Sequence, residues 1–354
     1  MESKYYDGTK LLSLLDIDGN KPEIYICTSN RSAGKTTWFN RYVVRRYIRG
    51  KGKFCLIYRY KYELQDCAEK FFKEIGSLFF PDYTLTQVMS DSKAFVHLML
   101  AKGEANAECC GYAVALNSAE QVKKYSHYLN DTTIMLFDEF QSETGVYCAN
   151  EMNKFISIHK SIARGGGEQS RYVPVIMISN PVSVLNPYYS AMGISSRLND
   201  KVKFMRGHGF VLEQGYNESA AKAQAESGFS KAFCNTAYIG YSDSGKYLSD
   251  NQAFIEEMTG KNVYLCTIKY HGNEYGVREY PEADRNGSML YCSPSVDQTH
   301  PIKITVNTDD HDVDYILGGG FDSLVLLLRH QFEMGRFRFK NLESKEALIK
   351  TISC

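Results

Sequence analysis

The chain has 354 residues, with 41 basic and 41 acidic side chains, so its formal charge is zero and no global positive field draws it to nucleic acid; such a contact must be local. A content of 44% hydrophobic and 23% charged residues is that of an ordinary globular protein, and the length suggests about two domains. Met1 to Lys10 lacks the apolar core of a signal peptide, and the most apolar late stretch, Ile316 to Leu328, is interrupted by three glycines and Asp322, so it is too short and polar to span a bilayer.

The first elements alternate. Glu23 to Thr28 reads as a buried strand and Lys35 to Arg49 as the helix after it, stopped by Gly50-Lys51-Gly52. Phe54 to Tyr58 is a second buried strand, followed by a helix near Glu63 to Ile75. From Tyr83 to Leu116 short apolar runs between polar turns suggest a small antiparallel insertion. Ser118 to Tyr125 looks helical, and Thr133 to Phe137 is a continuous apolar strand that ends in Asp138-Glu139. Glu151 to Ala163 is an amphipathic helix, the loop Gly165-Gly166-Gly167 follows, and the strand Val173 to Ile178 ends at Ser179-Asn180-Pro181. Unbroken apolar strands alternating with helices predict an α/β fold, a parallel sheet with helices on both faces.

After Tyr189 this rhythm is lost. We expect a first α/β domain over 1–205, a linker over 206–228 whose stretch from Gly215 is helical, and a smaller α+β domain over 229–354. Its strand-like runs are Ala237 to Ile239, Val263 to Tyr270, Met289 to Tyr291 and Ile302 to Val306, with helices near Phe321 to Glu333 and Glu343 to Ile352. The ten cysteines form no C-x-x-C pair and read as reduced thiols of a cytosolic protein.

The chemistry concentrates in Ser29-Asn30-Arg31-Ser32-Ala33-Gly34-Lys35-Thr36-Thr37, between the first strand and its helix. Its end matches the phosphate loop G-x-x-x-x-G-K-[ST], with Ser29 at the first glycine position. In such a loop backbone N–H groups surround phosphate oxygens, and the following helix N-terminus adds partial positive charge. Lys35 would reach the β- and γ-phosphates of ATP, and the Thr36 hydroxyl would bind Mg²⁺. Ile134 to Glu139 reads as a Walker B strand: Asp138 would hold Mg²⁺, and Glu139 would polarise the attacking water. Asn180, ending the next strand, is placed to sense the γ-phosphate. Arg164 suits an arginine finger reaching a neighbouring subunit, with Arg171 its rival.

Other clusters leave alternatives open. Arg41, Arg45 and Arg49 share a helix face at i, i+4 spacing, as a solvated face or as a DNA or subunit contact. Arg336-Phe337-Arg338-Phe339-Lys340 suits a nucleic-acid surface or an edge strand. The run Asp309-Asp310-His311-Asp312-Val313-Asp314 could suggest a two-metal nuclease, although a loop or helix start accounts for one local run better.

These segments together resemble the DNA-packaging (encapsidation) ATPases of phi-29-like short-tailed bacteriophages, relatives of large terminases. The resemblance rests on Arg31 and Gly34-Lys35, Tyr58-Arg59-Tyr60-Lys61-Tyr62-Glu63-Leu64, Phe137-Asp138-Glu139-Phe140, and above all Ser179-Asn180-Pro181-Val182-Ser183-Val184-Leu185-Asn186-Pro187-Tyr188. Asp250-Asn251-Gln252 with Phe254-Ile255-Glu256, and Thr308-Asp309-Asp310, are also similar. It implies a phosphate-loop fold of the class with a catalytic glutamate beside Walker B. The function implied is a homo-oligomeric ring in the host cytoplasm, at the portal vertex of an empty capsid, that drives double-stranded DNA inward at the expense of ATP.

By the same resemblance Arg164 occupies the arginine-finger position, and Lys124, or its neighbour Lys123, lies near a further trans-acting basic residue. The C-terminal domain would be a ribonuclease-H-like docking module without its catalytic carboxylates, and some family members dock on a structural RNA of the capsid. Ser29 and Ser32 depart from the family's glycines, and Gly165 to Gly167 enlarge the loop after the finger. Two other readings are a terminase with an active nuclease domain and a capsid-vertex module that keeps the fold without hydrolysing ATP.

Overall fold

The computed structural model describes residues 5–164, 169–195, 197–198, 202–232, 254–284, 287–320 and 322–353. The Gly165 to Gly167 loop, the strand expected at Ala237 to Ile239, and Asp250-Asn251-Gln252 lie outside these residues. The chain forms two compact units: one of Met1–Met192 with Leu198–Ser249, the other of Gly193–Arg197 with Asp250–Cys354. No described helix is long and apolar enough to cross a membrane.

The first unit is built on a nine-stranded sheet. In chain order its strands are β1 Ile24–Thr28, β2 Lys53–Tyr58, β3 Tyr83–Met89, β4 Val96–Lys102, β5 Glu108–Ala115, β6 Thr132–Asp138, β7 Val175–Ser179, β8 Phe204–Gly207 and β9 Phe210–Gln214. Their spatial order is β3-β4-β5-β2-β6-β7-β1-β9-β8. The six strands from β5 to β9 run parallel, and β3, β4 and β8 join antiparallel at the two ends. Strands β1, β2, β6 and β7 are buried on both faces, as their unbroken apolar sequences require.

The helices are α1 Thr9–Ser13, α2 Lys35–Ile48, α3 Cys67–Phe79, α4 Ala119–Lys124, α5 Glu151–Ile162, α6 Pro187–Ala191, α7 Glu218–Ala225 and α8 Gly228–Ala232. Helix α2 buries Phe39, Val43 and Val44 against the sheet, in one core with Phe71, Phe72 and Ile75 of α3. It ends where Gly50 takes a φ of 69°. The Gly50 N–H then bonds the Tyr47 carbonyl at 2.8 Å and the Lys51 N–H the Arg46 carbonyl at 3.0 Å, a Schellman closure.

Two expectations need correction. The segment 83–116 pairs antiparallel through β3, β4 and β5 as expected, but it is an extension of the main sheet rather than an insertion, because β5 also pairs in parallel with β2. Residues 206–214 are not linker: β9 pairs in parallel with β1, and β8 turns back on β9 at His208-Gly209. The apolar side chains of Phe210, Val211 and Leu212 are buried, which holds this hairpin in the sheet. Helix α7 bears out the helical reading after Gly215.

The second unit carries a six-stranded sheet ordered β14-β13-β10-β11-β12-β15, from β10 Val263–Tyr270, β11 Asn273–Asp284, β12 Gly287–Ser293, β13 Lys303–Thr305, β14 Ile316–Leu317 and β15 Phe337–Phe339. Strands β10, β11 and β12 form an antiparallel meander; β13 runs parallel to β10, β14 to β13, and β15 to β12. Helices α9 Ser323–Glu333 and α10 Leu342–Ile352 contribute Val325, Leu328, Leu348 and Ile352 to a core with Ile268, Val277 and Leu290.

Candidate nucleotide site

Strands β1, β7 and β6 lie side by side and end at the same level, with Cys27 and Asp138 both in register with Ile178. Carboxyl ends of adjacent parallel strands form the crevice where open α/β sheets bind ligands. The phosphate loop, Asn180 and Asp138-Glu139 therefore meet although they are far apart in sequence.

Between β1 and α2 the chain makes its turn with Gly34 at a φ of 89°, a conformation glycine adopts freely. Ser29, at the first glycine position, is not among the residues with positive φ; Ser32 is, at 59°. The steric cost of the missing glycines thus falls on Ser32, at about 1–2 kcal/mol. The Ser32 hydroxyl accepts a hydrogen bond from Gln224 of α7.

Lys35 is only 6% exposed. Its ammonium donates to Asn180 Oδ1 at 2.6 Å and to the Ser29 carbonyl at 3.3 Å. Burial pushes its pKa down, opposed by Cys27 and by the charge of Asp138. On β6 the Asp138 carboxyl is raised from 3.8 to about 6, first by burial and then by the charge of Glu139. Lys35, the Thr36 hydroxyl and the Glu139 N–H, which donates to Asp138 Oδ1 at 2.8 Å, act in the opposite direction. Two hard oxygen donors, Thr36 and Asp138, therefore adjoin, and such a pair suits Mg²⁺.

A cavity of about 980 Å³ opens in front of the loop; Arg31, Ser32, Gly34, Lys35, Thr36 and Thr37 line it on one side, and Asn180 also reaches it. The other predicted loop residues lie behind. Ser29 offers its carbonyl to Lys35, and the Ala33 carbonyl accepts from the Tyr6 N–H at 2.8 Å. Asn30 exchanges two bonds with Asn217: its Nδ2 donates to the Asn217 carbonyl at 3.1 Å, and its Oδ1 accepts from the Asn217 N–H at 2.9 Å. Arg31 is ion-paired with Glu143, and the Thr37 hydroxyl donates to Glu74 at 3.1 Å.

Glu139 is exposed and takes a φ of 55°, which is uncommon for a residue other than glycine, asparagine or aspartate. A clamp that sequence reasoning missed holds it there. Arg59, just past β2, donates Nη1 and Nη2 to the Glu139 carbonyl at 3.3 Å each, and Nη2 to the Phe140 carbonyl at 2.7 Å. Its Nε bonds both Glu151 oxygens at 3.1 and 3.0 Å. Glu151 also accepts from the Tyr188 hydroxyl at 2.7 Å and from the Cys148 N–H at 2.8 Å. Gln141 Oε1 accepts the N–H groups of Val182 and Ser183 at 2.9 and 3.0 Å, tying the segment after β6 to the one after β7. Asn186 caps α6 by accepting from the Tyr189 N–H at 2.9 Å, with Pro187 first in the helix. Arg59, Tyr188 and Asn186 fall in the two segments that carry the family resemblance. The available signal was a strand ending in arginine beside one ending in Asp-Glu.

Some predicted residues stand apart. Arg164 is exposed just past α5. Arg171 is turned inward, with Nη2 on the Ile162 carbonyl at 2.7 Å. Lys124 ends α4 exposed, whereas Lys123 pairs with Glu120 at 3.0 Å. Neither Lys124 nor Arg164 lines the cavity of its own chain.

In the second unit the acidic run serves structure. Asp310 accepts from the N–H groups of His271 and Gly272, each at 2.7 Å, closing the β10–β11 hairpin, and Asp312 pairs with Lys269 at 2.6 Å. Among the described residues no group of three or more His, Cys, Asp or Glu could hold a metal. Arg336 to Lys340 is an edge strand: Phe337 and Phe339 are buried, Arg338 pairs with Glu256 at 2.5 Å, and Lys340 pairs with Glu257.

A parallel sheet with a phosphate loop after one strand, an acidic pair ending the strand two places away and a polar residue between them defines a phosphate-loop α/β protein. The chain belongs to the podovirus DNA encapsidation protein (Gp16) family, whose profile it matches over residues 1–351. It is 25% identical to the "DNA packaging protein" of Bacillus phage phi29 over 344 residues, covering 96% of this chain and 94% of that protein. Its fold is similar to that of a chain in the bacteriophage phi-29 viral genome packaging motor assembly, with a TM-score of 0.67, 22% identity and coverage of 99% and 98% of the two chains. A chain of the phi-28 gp11 DNA packaging motor gives a TM-score of 0.59 at 16% identity, with coverage of 99% and 97%.

Two predictions follow from the buried charges. Arg59→Met leaves Glu151, 1% exposed, without its cation, and should lower unfolding free energy by about 3–5 kcal/mol in urea titrations, with Arg59→Met/Glu151→Gln less damaged. Because the Asp138 pKa is raised on folding, its ionised form costs stability above about pH 6, and that cost fades as pH falls toward the unfolded value of 3.8. Asp138→Asn should therefore raise the unfolding free energy of the nucleotide-free protein at pH 7.5, by up to about 3 kcal/mol in urea titrations, with the gain shrinking between pH 6 and 4.

Proposed function

We propose that this chain is the ATP-hydrolysing subunit of a DNA-packaging motor, a ring at the portal vertex of a capsid that moves double-stranded DNA inward. The observation that carries this reading is the convergence of Lys35, Asn180, Thr36 and Asp138 at three adjoining strand ends beside a cavity large enough for a nucleotide. The family and the relatives' names supply the process, encapsidation of DNA.

On this reading the loop N–H groups and Lys35 bind the β- and γ-phosphates, and Asn180 orients Lys35 and senses the γ-phosphate. Thr36 and Asp138 would hold Mg²⁺, which supplies charge neutralisation on the phosphates when bound. Glu139 is the general base that takes the proton of the attacking water, and Arg59 is a positioning residue that fixes the Glu139 backbone. Arg164 is the finger for a neighbour's γ-phosphate; its exposure, against the inward-turned Arg171, supports that choice. Lys124, exposed on α4, is a second candidate for a trans contact. The C-terminal unit is a docking module, a role in keeping with an acidic run spent on turns.

Glu139→Gln should bind ATP with near-normal affinity in an equilibrium assay and lose turnover by about 10²–10⁴-fold, the usual weight of a general base. Normal hydrolysis by that variant would remove Glu139 from the mechanism. Neither Arg164→Ala nor Glu139→Gln should hydrolyse ATP alone, since a finger carries about 10³–10⁵ in rate. Mixed together they should recover part of the activity, because some interfaces combine an intact base with an intact finger; no recovery at any ratio would count against a shared site.

A further inference from the structure

Helix α2 carries more positive charge than the nucleotide site uses. Toward its C-terminal end, Arg45, Arg46, Arg49 and Lys51 join Arg41, which also borders the cavity in front of the phosphate loop, around a second cavity of about 360 Å³. The one carboxylate on its wall, Asp7, is occupied by the N–H and hydroxyl of Thr9, at 2.9 and 2.6 Å. Among the described residues none of these five cations has a salt-bridge partner. The Nε atoms of Arg41 and Arg46 are buried and lack a hydrogen-bond acceptor. Arg45, Arg49 and Lys51 are exposed. The remaining wall is aromatic, with Trp38 stacked on Tyr42 at 5.4 Å between centroids and 10° between planes.

Such a groove sets five cations against one carboxylate and offers guanidinium forks, which match phosphate oxygens in pairs. Positions 41, 45 and 49 rise about 6 Å per step along the helix. Two phosphate steps of one DNA strand rise about 6.8 Å along the duplex axis. The chain as a whole carries no net charge, so this is a local concentration rather than part of a general field.

We propose that the arginine groove of α2 binds the phosphodiester backbone of a nucleic-acid duplex. The binding is read without reference to sequence, through charge and guanidinium geometry. The proposal extends the packaging reading and is independent of whether the loop hydrolyses ATP.

The test uses the full chain and Arg45→Gln/Arg49→Gln, with fluorescence anisotropy of labelled DNA and RNA duplexes between about 50 and 200 mM salt. Each lost phosphate contact removes about 0.9 from the slope of log K against log salt, so the double variant should be shallower by about 2. Its nucleotide affinity should match that of the unaltered chain. If that affinity falls, Arg49→Gln alone, in the exposed end of the helix, should still lower the slope by about 1. A change for DNA alone assigns the groove to the cargo, for RNA alone to a structural RNA, and for both to any duplex backbone. Unchanged slopes for both duplexes, or no duplex binding by the unaltered chain, would overturn the proposal. So would unchanged slopes with lost self-association, which would give the groove to an acidic face of a second copy.

Discussion

A buried ammonium must be surrounded by oxygen, and this requirement on Lys35 organises the carboxyl edge of the parallel sheet. Burial disfavours its charged form, so the fold supplies the Asn180 amide oxygen, the Ser29 carbonyl and the nearby charge of Asp138. Those partners stand at the ends of β7, β1 and β6, which are neighbours only because the chain crosses over through α2 and α5. Asp138 is in turn lifted to about 6 by burial and by Glu139. Lys35 and Asp138 each make the other's charge more tolerable, and the oxygen-rich space between them suits a phosphate with its cation.

The second constraint is on the backbone. Glu139 is held in a left-handed conformation, a strain of about 1–3 kcal/mol that persists only where surroundings over-determine it. Arg59 supplies that determination through two carbonyls, and Glu151 and Tyr188 fix Arg59. The arginine, glutamate and tyrosine come from three segments of the chain, so the proposed base is oriented by the fold. Asn30 and Ser32, through Asn217 and Gln224, tie the phosphate loop to the segment that carries α7 in the same way.

Much of this was legible in the sequence. The unbroken apolar runs marked β1, β2, β6 and β7 because strands buried on both faces leave no alternation. The residues proposed to bind phosphate and metal were visible because that chemistry restricts residue type and spacing. What was not legible depended on pairing across distance. Phe210, Val211 and Leu212 look like an isolated apolar patch until β1 is seen to need a neighbour on its far side. Strand β5 reads as part of a hairpin until its parallel register with β2 is known. Ser29 stands at the first glycine of the motif, yet the left-handed turn falls at Ser32, since φ is set by how the loop meets α2. The position of Arg59 after a strand hints at a role without naming it, as its partners are the carbonyls and carboxylate of other elements.

The central claim is that one chain holds an incomplete site that assembly completes. It is tested most directly by steady-state ATP hydrolysis per subunit across protein concentration, with and without double-stranded DNA, against Lys35→Ala as the blank. The account predicts a rate above the blank that rises with concentration and with DNA. A rate equal to the blank under every condition, or one independent of concentration, would contradict it.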